Sequence, residues 1–425
     1  MTTRRQWLAA AGTAAVASLL PRGPQGAELD IKTSSQSLFR VRTITAGVTL
    51  GSLDDLSPIH GALTTLQQAR TKFEQAGYEV QTLRIATNPV LASADAAARR
   101  QALPALETLD KAVSARGVIV SIGPLLTEDR DDADLPSWCA ELVQRTRSIS
   151  FSVSVASGER GMHRQSCAAA AGVIIALSKA LAGGVANFRF AAAANVPAGT
   201  PFFPVGYHDG DNSLAVGLES ARVVQAAFTG ATGAADAEQR LRRTLNEHLG
   251  GVEILARRFT TDVNLRYLGI DSSPAPGLDS SIGGAIETLT QVPFGSASTL
   301  TACATITSAL KSLDVRTCGY SGLMLPVLED PVLAQRAKEG RYGIEELLLY
   351  SSVCGTGLDV VPIPGDAAAP AVARLIGDVA ALSAKLRKPL SARLFPAPGK
   401  KAGDLVAFDD PHLTETSVFP LDADK

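Results

Sequence analysis

The stretch VRTITAGVTL (Val41–Leu50), followed by GALTTLQQARTKFEQA (Gly61–Ala76) and VQTLRIAT (Val80–Thr87), decides the fold class. The first and third segments are short and rich in β-branched residues, which is typical of buried strands. The middle segment places four apolar residues on one helical face: Leu63, Leu66, Ala69 and Phe73. A strand, a helix and a second strand in this order predict a βαβ unit with parallel strands.

The same alternation continues along the chain. Further strands are predicted at Val118–Gly123, Ile149–Val155, Phe188–Ala193, Arg266–Asp271, Arg316–Val327 (broken), Leu358–Ile363 and Leu390–Leu394. Further helices are predicted at Asp95–Ala115, Pro136–Arg145, Cys167–Leu181, Ala237–Arg257, Ser298–Leu313, Pro331–Tyr350 and Pro370–Leu386. Pro104 is expected to kink or split the first of these helices. About nine strands with crossover helices predict an α/β barrel or an open α/β sheet. The length allows one large domain or two smaller ones, and we expect a single domain over residues 28–395 with a surface extension at 396–425.

The first residues, Thr3-Arg4-Arg5-Gln6-Trp7-Leu8, lead into the apolar run Leu8–Leu20 and small residues near Ala27. This pattern predicts a twin-arginine signal peptide over residues 1–27, read by the twin-arginine export machinery. The mature protein would then be periplasmic or secreted. The alternative is a buried N-terminal amphipathic helix, which Pro21-Arg22-Gly23-Pro24 would end abruptly.

Composition excludes several classes of partner. The net charge of −2 and the lack of a basic stripe argue against nucleic-acid binding. No later segment holds about 18 continuous apolar residues, so we expect no stable membrane span. The five cysteines contain no C-x-x-C pair, so no zinc knuckle is indicated. The oligomeric state stays open, a homo-oligomer included.

One candidate site is the loop Phe203–Ser213. His208 is the candidate general acid or base, flanked by Asp209 and Asp211, with Tyr207 as a candidate substrate contact. The same side chains could instead contribute to a divalent cation site. The alternative is a solvated loop whose Asp and Asn side chains cap a turn and the next helix.

A second candidate is the segment Gly269–Gly284. A strand ends near Asp271, and the hydroxyls of Ser272 and Ser273 follow. A helix then starts near Ser280 and Ser281, where free N–H groups favour a carboxylate or phosphate. The alternative is an ordinary helix N-cap.

Two further segments, Thr317–Gly322 and Ser352–Asp359, each place a cysteine between small residues. Cys318 and Cys354 are candidate nucleophiles, with Tyr320 and Asp359 as candidate substrate contacts. A cysteine buried as a small apolar residue is the alternative.

A lesser candidate combines Ser154 with the loop Ser157–His163, in which Arg160 or His163 could meet an anion. A charged strand-to-helix loop explains these residues equally well. The chain has no G-x-S-x-G, Walker or G-x-G-x-x-G motif, which argues against serine hydrolase, nucleotide and dinucleotide functions.

These segments resemble the domain of unknown function 711 family, a pyruvate-formate-lyase-like group. The matching stretches are Arg42–Leu50, Arg84–Pro89, Ser152–Gly161, Ala192–Ser220, Gly269–Gly284, Cys318–Val327 and Ser352–Pro364. The resemblance implies a ten-stranded α/β barrel like that of glycyl-radical enzymes, with a polar interior. The C-terminal residues Ser391–Gly399 lack the glycyl-radical loop, so radical chemistry is not expected.

The leading hypothesis is a non-radical enzyme, of lyase, isomerase or hydrolase type, acting on a small anionic metabolite inside the barrel. In it His208 is the acid or base, Asp271 and the neighbouring serines hold the substrate, and Cys318 or Cys354 is nucleophile or acid. The alternative is a periplasmic small-molecule binding protein without turnover. Both hypotheses predict one cavity that contains His208 and Asp271.

Overall fold

The structure, a computed structural model, describes residues 38–277 and 279–421, so the predicted signal peptide lies outside the described residues. The strands are β1 (Arg40–Val48), β2 (Val80–Thr87), β3 (Val118–Pro124), β4 (Ile149–Ser157), β5 (Gly161–Met162), β6 (Phe190–Ala194), β7 (Ser213–Glu219), β8 (Arg266–Ala275), β9 (Gly357–Pro364), β10 (Leu390–Ala397), β11 (Leu405–Val406) and β12 (Thr416–Ser417). The helices are α1 (Ser57–Gln75), α2 (Ala96–Ser114), α3 (Leu135–Arg145), α4 (Arg164–Ala180), α5 (Ala221–Phe228), α6 (Ala234–Asp262), α7 (Ile282–Thr290), α8 (Thr299–Lys311), α9 (Pro331–Lys338), α10 (Ile344–Ser351) and α11 (Ala369–Leu386).

A ten-stranded sheet organises the protein, in the order β8-β7-β1-β2-β3-β4-β6-β10-β9, with β5 paired to β4. The predicted βαβ unit is confirmed, because β1 and β2 are parallel with Val41 opposite Val80. The expectation of parallel strands throughout is wrong at two junctions, since β7 is antiparallel to β1 and β10 is antiparallel to β6. The reason is that a buried strand has the same apolar pattern in either direction.

The two edge strands of the sheet contact one segment, residues 316–327. Ile270 of β8 forms a parallel bridge with Thr317, and Asp359 of β9 forms one with Pro326. The Cys318 N–H donates to Ile270 O at 3.1 Å, and the Val327 N–H donates to Asp359 O at 3.2 Å. The broken strand predicted here is thus two isolated bridges. Among the described residues, no continuous ladder joins the two edges.

The loop between β6 and β7, residues 195–212, crosses the inner face of the sheet. Thr45 Oγ1 on β1 donates to Pro201 O at 3.2 Å, and Ser121 Oγ on β3 donates to Pro204 O at 3.4 Å. Its apolar residues Phe202 and Val205 pack there against small residues of β6, while the helices bury the larger apolar core on the other face. This loop positions the cavities described below.

Several element boundaries differ from the prediction. Helix α2 continues through Pro104 without being split. The single helix predicted at Pro331–Tyr350 is two helices, since a turn between Glu339 and Gly343 separates α9 from α10. The short elements β7 and α5 were not predicted, because brief apolar stretches beside glycine-rich loops carry little periodicity. The helix predicted to start near Ser280 and Ser281 is α7.

Residues that follow β10 pack onto the domain. Val406, Phe408 and Val418 join a small apolar cluster with Val360 and Phe395. Across the ranges described, none of the helices is long and apolar enough to cross a membrane.

Candidate functional site

Two cavities lie beside the 195–212 loop, and Val205 lines both. The first, here called the arginine cavity, has a volume of about 480 Å³. Its charged and phenolic lining consists of five arginines, three carboxylates, a histidine and a tyrosine: Arg42, Arg84, Arg147, Arg189, Arg393, Glu329, Asp359, Asp410, His412 and Tyr320. The second, here called the hydroxyl cavity, has a volume of about 450 Å³ and lies at the ends of β3, β4 and β6.

Arg84 is the most unusual residue of the arginine cavity. It lies in the middle of β2 and is only 8 % exposed. Its Nη1 donates to Pro201 O at 3.2 Å, its guanidinium lies 5.2 Å from the centre of the Phe203 ring, and its Nε has no partner. Burial lowers the pKa of Arg84 to about 9, and the nearby charges of Arg42 and Arg393 act in the same direction. The charged guanidinium is therefore incompletely compensated by the protein.

The neighbouring arginines are ion-paired. Arg393 on β10 binds Asp359 at 2.8 Å and lies 3.7 Å from Glu329. Arg42 on β1 binds Glu219 at 3.1 Å and lies 3.8 Å from Glu329. Burial raises the pKa of Asp359, against the opposing attraction of Arg393. Of these three arginines, Arg42 and Arg393 have carboxylate partners and Arg84 has none. Arg189, which also lines the cavity, is held by backbone carbonyls, among them Ile149 O at 2.6 Å.

A neutral wall completes this cavity. Tyr320 donates from its hydroxyl to Ser391 Oγ at 3.0 Å, and Ser391 Oγ in turn donates to Thr356 O at 3.1 Å. Burial raises the pKa of Tyr320 above its ordinary value, so this phenol stays protonated. A hydroxyl pair beside a buried cation can recognise a polar group next to an anionic one.

The hydroxyl cavity has a different character. It is lined by hydroxyls, an amide and small apolar residues: Pro124, Thr127, Ser152, Ser154, Ala156, Ser157, Gly158, Ala193, Asn195, Val196, Val205 and Tyr207. None of these residues is charged. Tyr207 donates from its hydroxyl to Val196 O at 3.3 Å. An uncharged polar ligand suits such a lining.

His208 is buried and lines neither cavity. Its Nε2 donates to Gly210 O at 2.9 Å, and its Nδ1 accepts from Ser213 Oγ at 3.3 Å. Position 47 is glycine, and a Cβ there would overlap the His208 ring. Burial lowers the pKa of His208. The ring therefore holds its own loop against β1, and the flanking Asp209 and Asp211 side chains are exposed.

Asp271 is fully buried and is surrounded by donors from the chain itself. Its carboxylate accepts from Ser273 Oγ at 2.6 Å, and from the N–H groups of Tyr320 at 2.8 Å and Ser321 at 2.9 Å. These bonds fix the turn after Cys318. Ser272 donates its N–H to Ser321 Oγ at 3.2 Å, while its own hydroxyl is buried without a partner.

The structure does not bring His208 and Asp271 into one cavity. The His208 ring contacts Ser213 at the start of β7, whereas Asp271 pairs with Gly217, four positions further along β7. Four strand residues span about 13 Å. Asp271 also lines neither cavity. The arginine and hydroxyl cavities therefore do not support the common cavity predicted for this pair, which the β7–β8 register sets about four strand positions apart.

The helix start predicted as an anion site is α7, and it holds a carboxylate of the chain itself. Ser281 is its N-cap and accepts from Gly284 N at 2.8 Å. The N–H of Ile282 donates to Asp330 at 2.6 Å. Ser280 Oγ accepts from Gly277 N at 2.9 Å. The ordinary N-cap alternative describes this segment.

The two cysteine segments cross at Gly322 and Gly355, whose α-carbons lie against each other. All five cysteines are free thiols. Burial raises the pKa of the Cys318 thiol well above its ordinary value, which disfavours the nucleophilic thiolate. Neither Cys318 nor Cys354 lines the two cavities. In the part of the chain that the structure describes, no group of three or more His, Cys, Asp or Glu side chains is placed to hold a metal ion.

Four of the sequence-predicted residues do line a cavity. Tyr320 and Asp359 lie in the arginine cavity, and Ser154 and Tyr207 lie in the hydroxyl cavity. Arg160 is exposed and pairs with Glu128 at 3.2 Å. Sequence reasoning missed Arg84, Arg393 and Glu329. The available signal for the two arginines was a charged residue inside an otherwise apolar strand.

Comparison of the sequence with known proteins identifies its family. The profile of a family described as "Uncharacterised ACR (DUF711)" matches residues 33–410. The chain belongs to the DUF711 family. A UPF0210 protein of Pyrobaculum aerophilum is 30 % identical over 402 residues, covering 89 % of this chain and 87 % of the relative. A UPF0210 protein of Acetivibrio thermocellus is 27 % identical over 410 residues, covering 89 % and 90 %. The predicted membership of the DUF711 family is thereby confirmed.

Proposed function

We propose that the arginine cavity of this DUF711 protein binds a small organic anion and that the protein acts on it without radical chemistry. The observation that carries the proposal is the Arg84 guanidinium, buried in a cavity of about 480 Å³ without a carboxylate partner. A buried charge costs free energy unless it is paired. A ligand anion would supply that pair.

The ion pairs of the cavity indicate where the anionic group of the ligand would bind. Arg42 and Arg393 already have carboxylate partners and Arg84 has none, so the carboxylate of a ligand would pair with Arg84. The Arg84 Nε has no partner, and a guanidinium fork binds a carboxylate through two parallel hydrogen bonds. The Tyr320 and Ser391 hydroxyls would meet an adjacent hydroxyl or carbonyl. A monocarboxylate with a neighbouring oxygen, such as a hydroxy or oxo acid, fits this arrangement.

For turnover, Asp359 is the proton-transferring group that we propose. Burial raises its pKa, which is the shift expected of a general acid or base in an apolar cavity. The reaction would be of lyase, isomerase or hydrolase type. We assign no substrate contact to His208, Asp271, Cys318 or Cys354, because these residues lie outside both cavities.

The second candidate function is binding without turnover. The ion pair between Asp359 and Arg393, 2.8 Å apart, favours it, since a carboxylate held by an arginine is a weaker base. In this case Asp359 orients Arg393 rather than exchanging a proton.

The test uses the full chain, isothermal titration calorimetry and a panel of lactate, pyruvate, glycolate and acetate. We expect the hydroxy or oxo acids to bind more tightly than acetate. Arg84→Met should weaken binding by about 10- to 100-fold, because it removes a charged hydrogen-bond donor. Arg145→Met, which alters an arginine paired with Glu107 on the surface, is the matched control. Equal affinities of Arg84→Met and the unmodified chain would contradict the proposal.

Proton NMR in D₂O distinguishes the two functions. Exchange of the substrate α- or β-protons for deuterium, or a new product, indicates turnover. Asp359→Asn should abolish that exchange while Arg84 still supports binding. Saturable binding with neither exchange nor product would favour the binding protein.

We also propose that the sheet closes into a barrel. β1, β2, β3, β4 and β6 run in one direction, while β7, β8, β9 and β10 run in the opposite one. The two bridges of segment 316–327 to β8 and β9 support closure between these edges. The likeness to glycyl-radical enzymes rests on the sequence resemblance. A crystal structure with a continuous hydrogen-bonded path around the strands would test closure.

Export is a further proposal, supported by the twin-arginine pattern and by a family match that begins at residue 33, after that pattern. Residues 1–27 fused to a reporter enzyme should deliver it to the periplasm of a bacterium with twin-arginine export. Replacing Arg4 and Arg5 by lysine should prevent delivery. Delivery unaffected by both replacements would overturn the proposal.

A further inference from the structure

Ser157 and His163 form a hydrogen-bonded pair beside the hydroxyl cavity. Ser157 is the last residue of β4 and lines the cavity, and His163 immediately precedes α4. The Ser157 Oγ lies 3.0 Å from His163 Nε2. Although the chain lacks the G-x-S-x-G motif of many serine hydrolases, we propose that this pair is a nucleophile and its general base, acting on small uncharged esters. The proposal is independent of the arginine cavity.

The hydrogen bonds of His163 decide which ring nitrogen carries the proton. Its Nδ1 lies 3.2 Å from the Ser154 carbonyl oxygen, which can only accept. Nδ1 therefore carries the hydrogen, and the neutral ring presents a lone pair at Nε2. The Ser157 hydroxyl must then donate to Nε2. A serine nucleophile requires this arrangement: His163 Nε2 accepts the hydroxyl proton, and the Ser154 carbonyl orients the imidazole ring.

The surrounding backbone holds this geometry. The Ser157 Oγ accepts from Arg160 N at 3.2 Å, which directs the hydroxyl proton away from the turn and toward His163. The His163 N–H donates to Val155 O at 2.9 Å, and Ser157 pairs with Gly161 across the β4–β5 hairpin. His163 is fully buried at 0 % exposure, whereas Ser157 is half-buried. The base is thus fixed inside the domain and the nucleophile is accessible from the cavity.

A second observation points to a ligand in the same cavity. Ser152 lines it, is 1 % exposed and has a hydroxyl with no partner among the described residues. It precedes Ser157 by five positions on β4, which corresponds to about 16 Å along the strand. Ser152 therefore lies at the far end of the cavity and is too distant to contact a small ester held at Ser157. Since no lining residue is charged, the substrate should be uncharged.

The proposed reaction is acyl transfer to water. Ser157 Oγ attacks the ester carbonyl carbon, and its proton moves to His163 Nε2. The bond from the carbonyl carbon to the alkoxy oxygen breaks, and the departing alcohol takes that proton. A water molecule then gives a proton to His163 and adds its hydroxide to the acyl carbon. The bond to Ser157 breaks and the proton returns to Oγ, so that ester and water yield a carboxylic acid and an alcohol.

The experiment treats the full chain with a fluorophosphonate probe and, separately, with 4-nitrophenyl acetate. We expect one phosphonyl adduct per chain, mapped to Ser157 by peptide mass spectrometry, and a burst of one nitrophenolate. Ser157→Ala should abolish both. His163→Gln should slow both by about 100-fold or more, which is the usual contribution of a general base. A residue that only holds the turn would give no adduct.

Ser178→Ala is the matched control, because it removes a buried hydroxyl of α4 that bonds to Ile175 O outside the cavity. This variant should react with the fluorophosphonate probe at Ser157 to the same extent as the unmodified chain. If His163→Gln does not fold, Ser157→Cys preserves the pair with a thiol, which iodoacetamide should alkylate faster than Cys318. A folded, unmodified chain without an adduct at Ser157, or equal labelling of folded His163→Gln, overturns the proposal.

Discussion

The Ser281 hydroxyl donates to the Asp330 carboxylate across 2.6 Å, and through this contact one side chain joins the starts of two helices. Asp330 also accepts from the first N–H groups of α7, at Ile282 and Gly283. On its own helix, α9, it accepts from Val332 and Leu333 at 3.0 Å. A carboxylate is favourable at a helix N-terminus, and here one serves two of them.

Asp330→Ala should lower the free energy of unfolding by about 3 kcal/mol or more, since it leaves N–H groups of two helices unpaired in a buried site. Asp330→Asn retains one acceptor oxygen and should have a smaller effect. Urea denaturation followed by circular dichroism measures both. Asp366→Ala, at an exposed position, is the control and should be near neutral. A change below about 0.5 kcal/mol in Asp330→Ala would show that the shared cap contributes little.

His208→Gln should make stability less sensitive to acid. Burial lowers the pKa of His208 below its ordinary value of 6.5, although the exposed Asp209 and Asp211 oppose this and Arg266 assists it. The unfolded chain therefore binds the proton first as the pH falls. Stability rises with pH wherever the unfolded chain binds more protons, so the native chain loses stability as the pH drops through 6.5.

The measurement for His208 is the free energy of unfolding between about pH 5 and 7. The slope should be smaller in the variant than in the unmodified chain. Burial also lowers the pKa of His248, so His248→Gln is the matched variant and should remove only its own share. A slope unchanged by His208→Gln would contradict a structural, neutral His208.

Gly322→Ala should separate the two cysteine segments. A Cβ at position 322 would lie 2.5 Å from the Gly355 α-carbon, and backbone cannot give way as a flexible side chain can. We expect a loss of about 1–3 kcal/mol in stability and faster reaction of Cys318 with a thiol reagent. Gly377→Ala is the matched control, because a Cβ at that α11 position meets nothing within 4 Å. It should be neutral or stabilising by up to about 1 kcal/mol. Similar thiol reactivity in the two variants would contradict the close crossing.

The parts of the fold that can be predicted from the sequence are those set by the apolar pattern within a single segment. The β1, α1 and β2 unit is visible because apolar spacing within each segment reports its own burial. The antiparallel junctions are not visible, since the pairing of β1 with β7 depends on a loop that returns along the inner face of the sheet. That same loop takes His208 away from Asp271.

The candidate site was predictable only in part, for the same reason. Tyr320 and Asp359 follow turns that stand out in sequence, and both line the arginine cavity. Arg84 and Arg393 come from strands far apart in the chain, β2 and β10, which three other strands separate in the sheet, so no local pattern places both side chains in one cavity. The pair of Ser157 with His163 spans six residues, but its tautomer depends on the Ser154 carbonyl.

Arg84→Met should change stability in opposite directions with and without ligand. Without an anion, the native chain carries the cost of a buried, incompletely paired guanidinium, so the variant should be at least as stable and up to about 4 kcal/mol more stable. With a bound carboxylate, the native chain gains the free energy of binding and the variant does not.

Thermal unfolding at low ionic strength measures both effects, with and without 10 mM of the carboxylate that binds most tightly in the titration panel. We expect each effect to shift the midpoint temperature by about 1 to 2 °C or more. The native midpoint should rise with ligand, and that of Arg84→Met should stay constant. Arg145→Met should behave as the native chain. A destabilised Arg84→Met without ligand, together with an equal ligand response, would show that Arg84 serves the fold through Pro201 and Phe203 rather than an anion.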